Sequence, residues 1–277
     1  MGKAGHYVAH QADASGFVRY SEDENRIWSE LYARQARAIH GKACDEFEQG
    51  LALLDLPKDR VPQLAEVSAA LRRETGWCVE PVPALIPFEQ FCQLLSQRRF
   101  PAATFVRHRD ELDYLQEPDI FHELFGHAPM LTHRYFADFT QRYGVIGLQA
   151  DEQDREMLAT LYWFTVEFGL MQKSGEAAPR IYGGGILSSI GETAYALGPR
   201  PQRRRFDLVE VLRTPYRINI MQPVYYVIEE LRELFELTHR DLPSALTQAR
   251  RLGSLPPLFA PDAEAMPLKS MPRARSA

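Results

Sequence analysis

The residues able to do chemistry gather in one stretch, Glu117-Pro118-Asp119-Ile120-Phe121-His122-Glu123-Leu124-Phe125-Gly126-His127-Ala128-Pro129, which holds two imidazoles and three carboxylates. Neutral imidazole is the commonest metal ligand, and two of them separated by a short turn can meet one ion. Their spacing is five, which matters. In a straight α-helix a separation of five residues turns side chains apart by roughly 140°, against about 40° for a separation of four. His122 and His127 therefore do not form the His-Glu-x-x-His arrangement of zinc proteases, although Glu123 follows the first histidine. They can share an ion only if the backbone bends. Gly126 and Pro129 are the residues that would let a helix end or kink there.

A third ligand is nominated on energetic grounds. From Met157 to Met171 the chain is apolar all round, with Glu167 its only charge. A carboxylate buried without a partner is costly or takes up a proton, and a divalent cation would satisfy it. Two imidazoles and one carboxylate make the triad that leaves positions open for oxygen and substrate on Fe(II). Cys44, Cys78 and Cys92 have no short paired spacing, so the donors are nitrogen and oxygen, which suits Fe(II), Mn(II) or Zn(II). On spacing alone three readings stay open: this triad, a zinc hydrolase with Glu123 as general base, and a structural role in which the histidines are core residues and Glu167 pairs with an arginine.

The elements that must position these groups are mostly helical. Ser21 and Glu24 have capping-box spacing, and Ile27, Trp28, Leu31, Ala38 and Ile39 fall on one face of a helix running toward Gln49, with Gln35 the polar exception. Pro62 opens a second helix ending at Gly76, and Pro87 a third through Leu95. Cys78–Pro83 suits an irregular edge or loop, while Ala103–Arg107 reads as a short strand with 111–114 a possible partner. Thr132 caps a helix through Tyr143, and Asp151 caps a longer buried one reaching Lys173. Gly183-Gly184-Gly185 marks a loop or hairpin, Gly191 starts a helix through Ala196, and Arg203-Arg204-Arg205 reads as a solvated turn. Val209–Leu212 or Asn219–Met221 would add strands, and Pro223 starts a helix through Phe235.

The expected class is mainly α with a few short peripheral β-strands in a single catalytic domain, residues 21–252. A polar arm, 1–20, precedes it and a flexible Pro/Ala-rich tail, 253–277, follows. With 277 residues, 45% of them hydrophobic, there is ample material for one core. A net charge of -5 gives no reason to expect nucleic acid or an anionic membrane as partner. Neither a signal peptide nor a bilayer-spanning run is evident, so the expectation is a cytoplasmic protein.

Three segments, Pro118–His127, Ala159–Leu170 and Tyr182–Ser189, closely resemble the pterin-dependent aromatic amino acid hydroxylases, and the resemblance runs from about Trp77 to Leu237. It implies a single catalytic domain of that type, with Fe(II) on His122, His127 and Glu167 and tetrahydrobiopterin or a related tetrahydropterin as co-substrate. The reaction implied is hydroxylation of L-phenylalanine to L-tyrosine with O2, tryptophan or tyrosine being the alternative substrates within the family. Carried over by residue, Arg107 would hold the substrate carboxylate, Asp119 would orient it, Trp163 would pack on the substrate ring, and Gly185 and Ser188 would complete that pocket. Glu123, Tyr162, Leu85 and Phe91 would face the pterin, and Ser188 would also act on a histidine ligand. Glu123, Trp163 and Ser188 would be the catalytic side chains. Leu115-Gln116 stand where animal members have Thr-Pro, and the regulatory domain and tetramerisation helix of those enzymes are missing, which leads to the expectation of a monomer.

Overall fold

The computed structural model describes residues 7–14, 16–83, 85–113, 117–240 and 242–259. The expectations for 114–116 and for the end of the tail, 260–277, lie outside them. Helix α1, Glu22–Ile39, begins with the expected capping box: the Ser21 hydroxyl accepts from the Glu24 amide at 3.2 Å and the Glu24 carboxylate accepts from the Ser21 amide at 2.7 Å. It does not continue to Gln49. Gly41 takes a left-handed conformation at φ +68°, and the amides of Cys44 and Ile181 bond to the carbonyls of Ile181 and Lys42, so a new helix α2, Asp45–Leu54, starts in another direction. Helix α3, Leu64–Glu74, ends before Gly76, whose φ is +78°.

Strand β1, Cys78–Val82, and strand β2, Arg99–Ala103, pair in parallel across helix α4, Phe88–Ser96. The expected loop at 78–83 is thus a strand. Pro81 is tolerated because this sheet has only two strands among the described residues and one side of β1 carries no ladder. The strand expected over 103–107 lies four residues earlier, and 104–108 has no ladder partner. Helix α5, Arg134–Gln149, is capped by His133 rather than Thr132, and helix α6, Glu152–Tyr162, by Asp151 as expected.

Beyond α6 come β3, Leu170–Met171, β4, Arg180–Ile181, helix α7, Gly184–Leu187, and helix α8, Ile190–Ala196. Strand β5, Gln202–Arg205, helix α9, Leu208–Leu212, strand β6, Val224–Ile228, and helices α10, Leu231–Arg240, and α11, Leu242–Leu252, complete the order. The second sheet runs β4-β3-β6-β5, with β4 antiparallel. Three expectations are corrected here: 203–205 is a strand, 209–212 a helix, and Pro223 leads into a strand before the helix. A buried run such as Val224-Tyr225-Tyr226-Val227-Ile228 has no one-sided period, and its β-branched and aromatic content decides for strand. No helix among the described residues is long and apolar enough to cross a membrane.

Candidate metal centre

The five-residue spacing is met by a wide turn. His122–His127 winds as a π-helical segment, and the Ala128 amide bonds to the Glu123 carbonyl, five residues back. With i→i+5 bonding there are about 4.4 residues per turn, so a separation of five turns side chains apart by roughly 50° instead of 140°, and the two imidazoles face one another without a kink. Their Nε2 atoms lie 2.9 Å apart. Pro129 belongs to the single 3-10 turn that follows, Ala128–Thr132, and Gly126 has a packing role: a Cβ there would sit 2.7 Å from the Gly184 carbonyl oxygen. Behind the turn, Phe121 and Phe125 stack at 4.8 Å, and Trp28 and Tyr32 of α1 meet them edge-on at 5.4 and 5.2 Å. The hydrophobic face read from α1 is therefore what seats the histidines.

Glu167 reaches the same point from a second wide turn. Trp163–Glu167 is also π-helical, closed by a bond from the Phe168 amide to the Trp163 carbonyl, so the long helix expected to reach Lys173 ends at Glu167. Its Oε1 lies 3.3 Å from His127 Nε2 and its Oε2 3.6 Å from His122 Nε2. Ligand atoms each about 2.1 Å from an ion and at right angles to one another stand about 3.0 Å apart, so the three donors are spaced for one octahedral divalent cation. A carboxylate oxygen of Glu123 also lies within 4.8 Å of both histidines.

Electrostatics separates the two carboxyls. Glu123 is pushed well above the usual carboxylate range by burial, then by the charges of Glu167 and Asp119. At Glu167 burial also acts upward, but His127, which also hydrogen-bonds it, and then His122 outweigh it and hold the group below the usual carboxylate range. His122 is lowered to about 4, first by burial and then by His127, and is neutral. The site thus presents two imidazole nitrogens and the Glu167 carboxylate, with a second buried carboxyl, Glu123, beside them.

Ser188 fixes the tautomer of His122. Its hydroxyl donates to the Gly184 carbonyl at 2.8 Å, so the 2.9 Å contact with His122 Nδ1 is one it accepts, leaving the Nε2 lone pair free toward the ion. Rather than a loop or hairpin, Gly184 and Gly185 open a short helix with Gly183 at its N-cap, laid against His127 and Glu167. Cβ atoms would meet the Glu167 carbonyl at 2.4 Å from Gly183, the His127 ring at 2.3 Å from Gly184, and Glu167 Oε2 at 3.0 Å from Gly185. Only glycine fits the first two places.

Around this centre stand the other expected residues. Arg107 Nε and Nη2 each donate to Asp119 at 2.8 Å, and the Arg107 amide donates to it at 3.1 Å. The fully buried Asp119 carboxylate also accepts from the His122 amide at 3.0 Å, tying the arginine to the first residue of the wide turn. Arg107 Nη1 has no acceptor among the described residues, so that edge of the guanidinium is open to a second carboxylate. Phe91 and Tyr143 lie 5.2 and 5.4 Å from the Tyr162 ring. Leu85 is 76% exposed. The Trp163 indole is flanked by Phe168 at 4.4 Å and by Tyr216, stacked at 4.8 Å.

Tyr216 is a residue that sequence reasoning missed. It sits in an irregular segment between α9 and β6, where no period marks it. Gln35, the polar exception on α1, is explained: its amide donates to Thr193 Oγ1 at 3.0 Å, and Thr193 in turn donates to the Ile186 carbonyl of α7. The three cysteines are free, and burial raises the thiols of Cys44 and Cys92.

A family model described as biopterin-dependent aromatic amino acid hydroxylase matches residues 5–245. The phenylalanine-4-hydroxylase of Pseudomonas aeruginosa is 50% identical over 94% of this chain and 98% of that protein. Among solved structures, the apo form of a cold-active phenylalanine hydroxylase from Colwellia psychrerythraea 34H superposes with a TM-score of 0.88 at 52% identity, covering 91% of this chain and 97% of the other. The Chromobacterium violaceum phenylalanine hydroxylase with bound iron(III) and oxidised 7,8-dihydrobiopterin gives 0.82 at 41% identity, over 91% of this chain and 93% of that one.

Proposed function

This chain belongs to the biopterin-dependent aromatic amino acid hydroxylase family, and from that premise we propose how its residues divide the hydroxylation of L-phenylalanine to L-tyrosine. His122, His127 and Glu167 hold non-haem Fe(II), and the spacing of their donor atoms, 2.9 to 3.6 Å, is the observation that carries the reading. Bound there, iron and a reduced pterin supply the oxygen activation that no side chain can. Arg107 takes the substrate carboxylate on its open Nη1 edge, while Asp119 holds the other edge and keeps the fork in plane. Trp163, flanked by Phe168 and Tyr216, offers the ring a rigid face, and Gly185 and Ser188 line the pocket beside Glu167 and His122.

On the cofactor side, Glu123, whose carboxyl burial pushes above the usual range, faces the pterin, and Tyr162 and Phe91 form the aromatic wall there. The reading takes the enzyme to be a cytoplasmic monomer whose partners are L-phenylalanine, O2 and the tetrahydropterin. Its unit is residues 21–252 with an arm before and a tail after. The test is incubation of iron-loaded protein with each aromatic amino acid and a synthetic tetrahydropterin under air. Phenylalanine should turn over fastest, giving tyrosine only when pterin and O2 are both present; a clear preference for tryptophan would overturn the substrate assignment.

A further inference from the structure

The segment that carries Arg107 has no ladder to hold it. Thr104–His108 follows β2 without pairing to any strand, and a cavity of about 690 Å³ opens between it and the first turns of α1, bordered by Asp23, Ile27, Val106 and His108. Its backbone groups must find other partners. The Phe105 carbonyl accepts from the Ile120 amide and the Arg107 amide donates to Asp119, so one side is tied to the histidine stretch.

The other side is tied to the N-terminal arm. The His108 amide donates to the Tyr7 hydroxyl at 3.0 Å, and the Tyr7 ring stacks on buried Phe105, centroids 4.4 Å apart and 15° from parallel. Thr104 Oγ1 donates to the His10 carbonyl at 2.8 Å, and Tyr20 Oη donates to the Thr104 carbonyl at 3.0 Å. At its far end the arm is fixed by Val18, whose amide and carbonyl both bond to the side chain of Gln63, the residue just before α3. Residues on both sides of Arg107 are thus clamped by a segment about a hundred residues away in sequence.

We propose that the arm, acting through Tyr7, positions Arg107 and thereby sets the affinity for the carboxylate of the amino acid substrate. This rests on the reading of Arg107 as the carboxylate ligand. Tyr7 touches neither substrate nor iron; it fixes the height and tilt of the backbone from which the guanidinium extends. The arm is then a working part of the substrate site.

The experiment uses the full chain, iron-loaded, with Tyr7→Phe and Tyr7→Ala. Phenylalanine is compared with phenethylamine, which has the same ring and amine and no carboxylate, and calorimetry of phenylalanine with metal-free protein gives affinity without turnover. Tyr7→Phe should raise the KM and Kd for phenylalanine about fivefold, the worth of one hydrogen bond, and Tyr7→Ala further. The KM values for phenethylamine and tetrahydropterin should stay put. No change for phenylalanine, or an equal change for both amines, overturns the proposal. Arg107→Gln is the control: if it leaves the preference for phenylalanine over phenethylamine intact, the assignment of Arg107 has failed, and the proposal with it.

Discussion

Glu167 is the side chain on which the centre turns, because it brings a carboxylate to within 3.3 and 3.6 Å of the two imidazoles. Glutamine has the same shape without the charge, so Glu167→Gln should fold normally and stay within about 1 kcal/mol in stability when metal-free. Its iron affinity should fall by at least about 100-fold, since loss of a residue that merely supports a ligand already costs about 10- to 100-fold. Chelator competition measures this, and undiminished affinity would remove Glu167 from the ligand set. This residue was legible in the sequence because a lone carboxylate in an apolar run asks for a partner. Tyr7 and Tyr216 were not, because their partners Phe105, His108 and Trp163 are distant in sequence and no periodicity links them.

At the scale of elements, helix type, start and burial were readable wherever a cap preceded an apolar stripe or run, as at Ser21 and Asp151. The wide turns were not, because a spacing of five was measured against the α-helical period, which makes His122 and His127 look divergent. The glycine triplet was read as loop for a similar reason: glycine signals flexibility in a sequence, whereas here it clears space for His127 and Glu167. Two glycines separate these uses. Gly184→Ala would place a methyl 2.3 Å from the His127 ring, so it should destabilise by about 1–3 kcal/mol and weaken iron binding. Gly41→Ala meets nothing within 4 Å and should cost only about 1 kcal/mol of left-handed strain, with iron binding intact. Urea melts and metal content check both, and similar iron loss in the two would show that the triplet does not shape the site.

For the whole molecule, pH acts through a carboxyl remote from the ligands. Glu192 on α8 is pushed up to about 7 by burial, with the 2.7 Å hydrogen bond from Tyr225 Oη acting downward. A carboxyl that holds its proton more tightly folded than unfolded contributes stability fully below the unfolded pKa, and loses it as pH rises through the folded one. Stability should therefore decline between about pH 4.5 and 7 by roughly 3 kcal/mol from this group. Glu192→Gln, always neutral, should flatten that part of the Tm–pH curve; an unchanged slope would place the titration elsewhere. Asp119 joins the Arg107 guanidinium and the His122 amide through one carboxylate, so under the proposed roles of Arg107 and His122 amino acid and metal are thermodynamic neighbours rather than independent guests. Linkage then demands reciprocity: by whatever factor iron tightens phenylalanine, phenylalanine tightens iron.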